Sequence, residues 1–248
     1  ALDPYALTHP LSKERISHIR GHLLQSEIPP EALPEGYITK HQRMRAKLIG
    51  FLQSPEAAFS YYAPQDVSVP ARYARAVAYH RQQKRDKAIA EIDSLLKESP
   101  EDPFFLELKG QILAESGEHQ AALPYYEKAS KLLPQSALLR TEYAATLLTQ
   151  NPAPYQQAVE ILKIASVQDN SNPMTWHLLA QAYTGLGQKG QAALAAAEKE
   201  MLNNNPLEAL RQANLALEAI PSSHPSRLRA EDIKTEATRL YQKKAKKK

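Results

Sequence analysis

The chain of 248 residues has no cysteine, one tryptophan and only eight glycines. Without cysteine, neither a disulfide nor a thiolate metal site can form, and the absence suits an oxidising compartment while leaving the compartment open. No apolar run approaches the roughly 20 residues that a membrane span needs, so no transmembrane span is expected. The chain begins with Ala1 rather than Met and lacks a basic-then-apolar leader, which reads as a fragment trimmed from a longer chain. No HExxH helix, glycine-rich phosphate loop or GxSxG elbow occurs, so no recognised catalytic motif is in view. What is abundant is alanine, leucine, glutamate, glutamine and lysine, with 18 prolines as punctuation. That composition predicts an all-α protein whose helices stop at prolines.

The formal net charge of +4 suggests nucleic acid until it is located. Residues 227–248 hold nine Lys/Arg against three acids, so the preceding part of the chain sums to about −2. The basicity is a tail and not a groove. Nucleic acid is therefore not expected as a partner, and peripheral contact with an acidic membrane surface is the most that the tail implies.

Self-similarity is the dominant feature. Ala76, Tyr79, Ala88, Ile92, Leu95 and Pro100 recur 34 residues later as Gly110, Leu113, Ala122, Tyr126, Ala129 and Pro134. A third unit carries Tyr143, Ala144, Leu147, Ala158, Leu162 and Ala165, displaced by two because NPAPYQ lengthens its internal turn. The fourth carries Trp176, Leu179, Ala180, Tyr183 and Ala192. A period of 34 with small residues where two helices approach is the tetratricopeptide spacing. The expected fold is a right-handed α-solenoid of about four to five tetratricopeptide (TPR) repeats over residues 69–221. A short helical junction over 1–68 precedes it, and a capping helix with a lysine-rich tail over 222–248 closes it. Helix 188–203 is expected to serve as helix B of one unit and helix A of the next. The cap is expected to be amphipathic through Leu228, Ile233, Ala237 and Leu240. Trp176, Tyr126 and Tyr183 fall on consensus packing positions and read as core.

In such a stack the A helices line the concave face. Tyr73, Val77, His80 and Arg81, then Glu107 and Gln111, Thr141 and Leu148, and His177 and Gln181 are the candidate partner-binding residues. The mixture of aromatic, polar and charged groups suits an extended or helical polypeptide, with Tyr73 and Arg81 as the favoured anchors. TPR proteins that clamp a carboxyl terminus use Lys and Asn at such places. Tyr73 and Val77 stand there instead, which argues against that ligand. Of the eight histidines only His18 and His22 stand four apart on one helix, half of a zinc site with no third ligand indicated.

The opening DPYALTHPLSKERI, with QRMRAKLIGFL, PARYARAVAYHR, ELKGQIL, the WHLLAQAYTGLGQKGQAALAAAE run and HPSRLRAEDI, resembles the C-terminal region of BepA/HtpX-like HExxH zinc metallopeptidases. The resemblance covers essentially the whole chain. It implies a parent that is a periplasmic zinc metalloendopeptidase, and a TPR arm that docks substrate proteins or outer-membrane assembly partners and contacts its own protease domain. By position His9, of the His-Pro step, would lie near the parent's zinc. The zinc ligands and the catalytic glutamate have no counterpart here. The chain is expected to be catalytically silent alone and to hold no cofactor of its own. The alternative is a free-standing TPR adaptor unrelated to proteolysis.

Overall fold

A computed structural model of the protein describes residues 12–25 and 33–245. Two compact units are present, residues 1–42 and 43–248. In the first, α1 (Ser12–Gln25) leaves Ile16, Ile19, Leu23 and Leu24 exposed. The helix α2 (Tyr37–Leu52) begins in the first unit and continues into the second from Arg43. His9, with the rest of residues 1–11, lies outside the described residues.

The second unit is an all-α solenoid. A short α3 (Pro55–Tyr61) leads to four helical hairpins. These are α4 (Val69–Arg81) with α5 (Arg85–Glu98), α6 (Pro103–Glu115) with α7 (His119–Leu132), α8 (Ala137–Leu148) with α9 (Tyr155–Gln168), and α10 (Pro173–Gly185) with α11 (Lys189–Leu202). Two further helices follow, α12 (Pro206–Ala219) and α13 (Ser226–Ala245).

The repeat begins with a cap. Ser68, Asp102, Ser136 and Asn172 are the N-caps of α4, α6, α8 and α10, and each side chain accepts from a backbone N–H of the first turn. Proline follows in the first turn of α4, α6 and α10, where its missing N–H costs nothing. Three of the four turns from A to B within the hairpins close in one way. The central residue of each is left-handed (Gln83, φ 57°; Gly117, φ 84°; Gly187, φ 70°). Each such turn sends two N–H groups back to its helix, as Glu118 does to Leu113 and Gly117 to Ala114. This is the Schellman closure of a helix end. The turn after α11 repeats it at Asn204 (φ 55°), which joins α11 to α12 as an A helix to its B helix. The expected double service of α11 is therefore realised. The turn of the third hairpin, between Leu148 and Tyr155, is the lengthened one.

Packing follows from the small residues. Ala88, Ala122 and Ala158 are fully buried where the paired helices cross. A Cβ on Gly110 would stand 3.1 Å from the Tyr126 ring, so glycine admits that ring. Ile92, Leu95, Leu108, Ile112 and Leu162 fill the spaces between layers, each worth about 1.5–3 kcal/mol relative to exposure. Tyr126 is buried, whereas Trp176 and Tyr183 are half-buried against the cluster formed by Ala144, Leu162, Leu178 and Leu179. The Trp176 indole N–H donates to the Asn170 carbonyl at 3.0 Å.

At the C-terminal end, Ala230, Ile233 and Ala237 of α13 are buried. The bidentate Arg229–Glu198 pair (2.6 and 2.7 Å) ties α13 to α11. Leu228 does not belong to that face: it is 67% exposed, because the buried stripe is set by Ala230, two residues out of phase with it.

Candidate functional site

The N-caps define equivalent places on successive A helices. Five residues after the cap stand Tyr73, Glu107, Thr141 and His177, and nine after it stand Val77, Gln111, Ala145 and Gln181. The four layers treat these places differently.

Tyr73 is 1% exposed, and Val77, Thr141 and Leu148 are buried with it, so these four expected binding residues offer no side chain to a partner. The Tyr73 ring packs edge-on against Phe105 with centroids 5.3 Å apart, and its hydroxyl donates to the Phe104 carbonyl at 3.4 Å. Burial pushes its phenol far above the ordinary range, so it stays neutral. Val77 is covered by Gly50 of α2. Thr141 donates to the Ala137 carbonyl at 3.0 Å, and its hydroxyl lies 2.9 Å from that of Thr175 on the next A helix. Leu148 joins the cluster that holds Ala158, Leu162 and Leu179.

Three expected residues do come together. His80, Arg81 and Gln111 line one cleft of about 450 Å³ with Phe51, Gln83, Arg85, Glu115 and Ser116. His80 lies 2.8 Å from the Glu115 carboxylate, which also accepts from the Gln111 amide at 2.8 Å. The Arg81 guanidinium donates to the Gly50 carbonyl at 3.1 Å and to that of Gln53. Glu107 is engaged by Lys47 of α2 at 2.8 Å. His177 and Gln181, on α10, are exposed and lie outside that cleft.

Three carboxylates, Glu107, Glu115 and Glu142, also share this face. Burial first, then the Glu107 and Glu115 carboxylates, raise the pKa of Glu142. Glu107 and Glu115 have Lys47 and His80 beside them, whereas among the described residues Glu142 forms no ion pair. Periodicity did not single out Glu115 or Glu142. Glu115 stands one turn beyond Gln111, a spacing that could have found it. Glu142 is the neighbour of Thr141, and only the fold shows that the carboxylates of α6 act on it.

Metal chemistry has little to work with among the described residues, where no group of three or more His, Asp or Glu side chains is arranged to hold an ion. His18 and His22 are exposed on α1, with their Nε2 atoms 3.1 Å apart.

A superhelical series of capped hairpins with a 34-residue period defines a TPR protein. The tetratricopeptide repeat family model matches residues 53–216, and the chain belongs to that family. Among characterised proteins, the chain is 29% identical over 211 residues to the putative beta-barrel assembly-enhancing protease of Vibrio cholerae, covering 82% of this chain and 42% of that protein. It is 26% identical over 212 residues to the beta-barrel assembly-enhancing protease of Yersinia pestis, with the same coverage. The resemblance seen in the sequence thus holds, and the chain spans less than half the length of these relatives. Of solved structures, YrrB, described as a TPR protein with an unusual peptide-binding site, superposes with a TM-score of 0.55 over 70% of this chain and 90% of its own at 16% identity. MamA superposes with a TM-score of 0.51 over 69% of this chain and 96% of its own at 20% identity. These likenesses establish the fold. No helix among the described residues is long and apolar enough to cross a membrane.

Proposed function

We propose that this chain is the non-catalytic docking arm of a periplasmic zinc metallopeptidase, and that it holds polypeptide segments of substrate or outer-membrane assembly partners on its A-helix face. The observation that carries this reading is the exposure of His177 and Gln181 at the repeat positions that are buried in the first layer. A polar, open edge on a rigid helix is what an extended or helical polypeptide can use. Similarity to beta-barrel assembly-enhancing proteases supports the class of client, and the periplasmic setting follows from the family resemblance.

On this reading zinc and the hydrolytic step belong to the arm's own protease domain, which the arm contacts. The described residues supply no ligand set for the metal. The anchors differ from those expected from the sequence: Tyr73 is core, and Arg81 is committed to the carbonyls that end α2. The recognition surface is instead His177 and Gln181 on α10, with Gln111 and Glu115 two layers away on α6.

Capture of an unfolded outer-membrane protein tests the reading, comparing the parent chain, a His177→Ala/Gln181→Ala variant and a chain ending at Leu240. The double variant is expected to lose at least about threefold in affinity, the order of one modest interface contact. The shortened chain is expected to bind like the parent. Loss only in the shortened chain would move the site to the basic tail.

A further inference from the structure

The part of α2 from Arg43 onward lies along the seam between the first two A helices, and its contacts advance in step with theirs. Arg43 pairs with Asp102 at the start of α6 and sets its guanidinium over the Phe104 ring, 4.8 Å from the centroid. One turn on, the Lys47 ammonium donates to Glu107 at 2.8 Å. A further turn brings Gly50 against α4, where any Cβ would stand 2.8 Å from the Val77 Cβ and 3.0 Å from the Ala74 carbonyl oxygen. Arg81 then receives the end of the helix by donating to the carbonyls of Gly50 and Gln53. Val77, Arg81 and Glu107, three positions that a TPR face would turn toward a ligand, are thus all engaged by α2.

The orientation of α2 on that seam is unusual for a permanent core helix. It turns its small and basic residues inward, with Ala46 and Gly50 buried and Arg43 and Lys47 half-buried in ion pairs. Most of its large apolar residues face solvent: Met44 is 54%, Leu48 48% and Leu52 73% exposed, while Ile49 and Phe51 are half-buried. Of these, only Phe51 packs on the core cluster that holds Tyr73, Val77, Ile92 and Ile112. Apolar burial is the main source of helix docking energy, and α2 directs most of its own away from the stack. Beside Phe51 and the close approach of Ala46 and Gly50, what holds it is charge at partial exposure, which is weak and reduced by salt.

We propose that α2 is a resident occupant of the A-helix face, a helix held in cis at the place where a partner helix would dock on the first two repeats, and that it is exchangeable. The partner that replaces it is a helix of the same pattern, two cations one turn apart followed by a small residue that lets the backbones touch. Docking on repeats 1 and 2 then requires α2 to leave, while His177 and Gln181 remain open throughout. The inference rests on the proposed function only in taking the A-helix face as the docking surface.

The test uses a fluorescein-labelled peptide of residues 37–52 and anisotropy titration against the parent chain and an Arg43→Glu/Lys47→Glu variant of it. The variant, with its own α2 repelled, is expected to bind the peptide at least about tenfold more tightly than the parent, as expected for removing two competing ion pairs. Added Glu107→Lys should abolish that gain. Equal binding by parent and variant, or no binding by a variant that melts like the parent, would overturn the proposal. Amide hydrogen exchange on the unmodified chain gives a second readout that does not depend on the variant folding. Protection of residues 43–52 should fall about tenfold between about 20 mM and 0.5 M salt, while that of α6 and α7 holds. Protection of residues 43–52 that is indifferent to salt would equally overturn it. Neither assay reads His177 or Gln181, so a failure here leaves the capture experiment standing, and a failure there leaves this one.

Discussion

The first and fourth hairpins share a cap, a turn and a period, yet they present opposite surfaces. Tyr73 to Ala78 of α4 are six consecutive buried residues, more than a full helical turn, so α4 is covered on every side. On α10, Thr175, Leu178, Leu179 and Ala182 are buried while His177 and Gln181 face solvent. The repeat determines which residue occupies a place. What lies over that place is decided by segments outside the repeat, here α2 and α3. A TPR register therefore identifies a candidate binding face without showing which layers of it are free.

The sharpest way to break the comparison is to unfasten the covered end. Arg75 is buried, chelates the Glu91 carboxylate at 2.6 and 3.1 Å and donates to the carbonyls of Ala63 and Asp66. Arg75→Ala strands a carboxylate and two carbonyls, and should cost about 3 kcal/mol or more in urea unfolding. A loss under about 1 kcal/mol would mean that the linker 63–66 is not held by this residue.

Overpacking between paired helices comes next. Ala122→Leu and Ala158→Leu should each cost roughly 1–3 kcal/mol, since both side chains are fully buried at helix crossings. If both variants melt within a degree or so of the parent, the layers do not close on these alanines.

At the open end the expected change in stability is nearly nil. His177→Ala/Gln181→Ala should stay within about 0.5 kcal/mol of the parent, although it weakens polypeptide capture. A large destabilisation would show that α10 is covered like α4.

The smallest effect concerns charge. Burial and its two carboxylate neighbours raise the pKa of Glu142 in the fold, so ionising it opposes folding once the pH exceeds its unfolded pKa. Glu142→Gln should raise the melting temperature slightly at pH 7. The gain should vanish as the pH falls through the raised pKa, where the glutamate is itself neutral. A gain that persists in acid would assign the effect to something other than charge.

The stack was legible in the sequence because its determinants are local. A cap, a small residue at each crossing and a left-handed turn residue repeat at fixed distances, and Ser68, Asp102 and Ser136 can be read from their spacing alone. The face was less legible. Tyr73 has the chemistry of an interface anchor, and nothing in its neighbourhood of letters says that Phe105, 32 residues away, packs against it. Lys47 and Glu107 meet across 60 residues, one of them outside the period, so no repeat alignment pairs them. Leu228 shows the local limit: in a helix of mixed letters the larger apolar residue drew the stripe toward itself, while the buried phase belongs to Ala230.

The turns have a kinetic consequence. Where Gln83, Gly117 and Gly187 close a hairpin, its two helices are joined by bonds to their own chain ends, and most of the contacts needed to form it are near in sequence. Such hairpins assemble quickly and with little loop entropy. The segment from Thr149 to Pro154 is longer and, among the described residues, lacks the five-back bond that the other turns share. The third hairpin thus draws more of its order from its neighbours, so folding should spread into it from the hairpins on either side and unfolding should begin there.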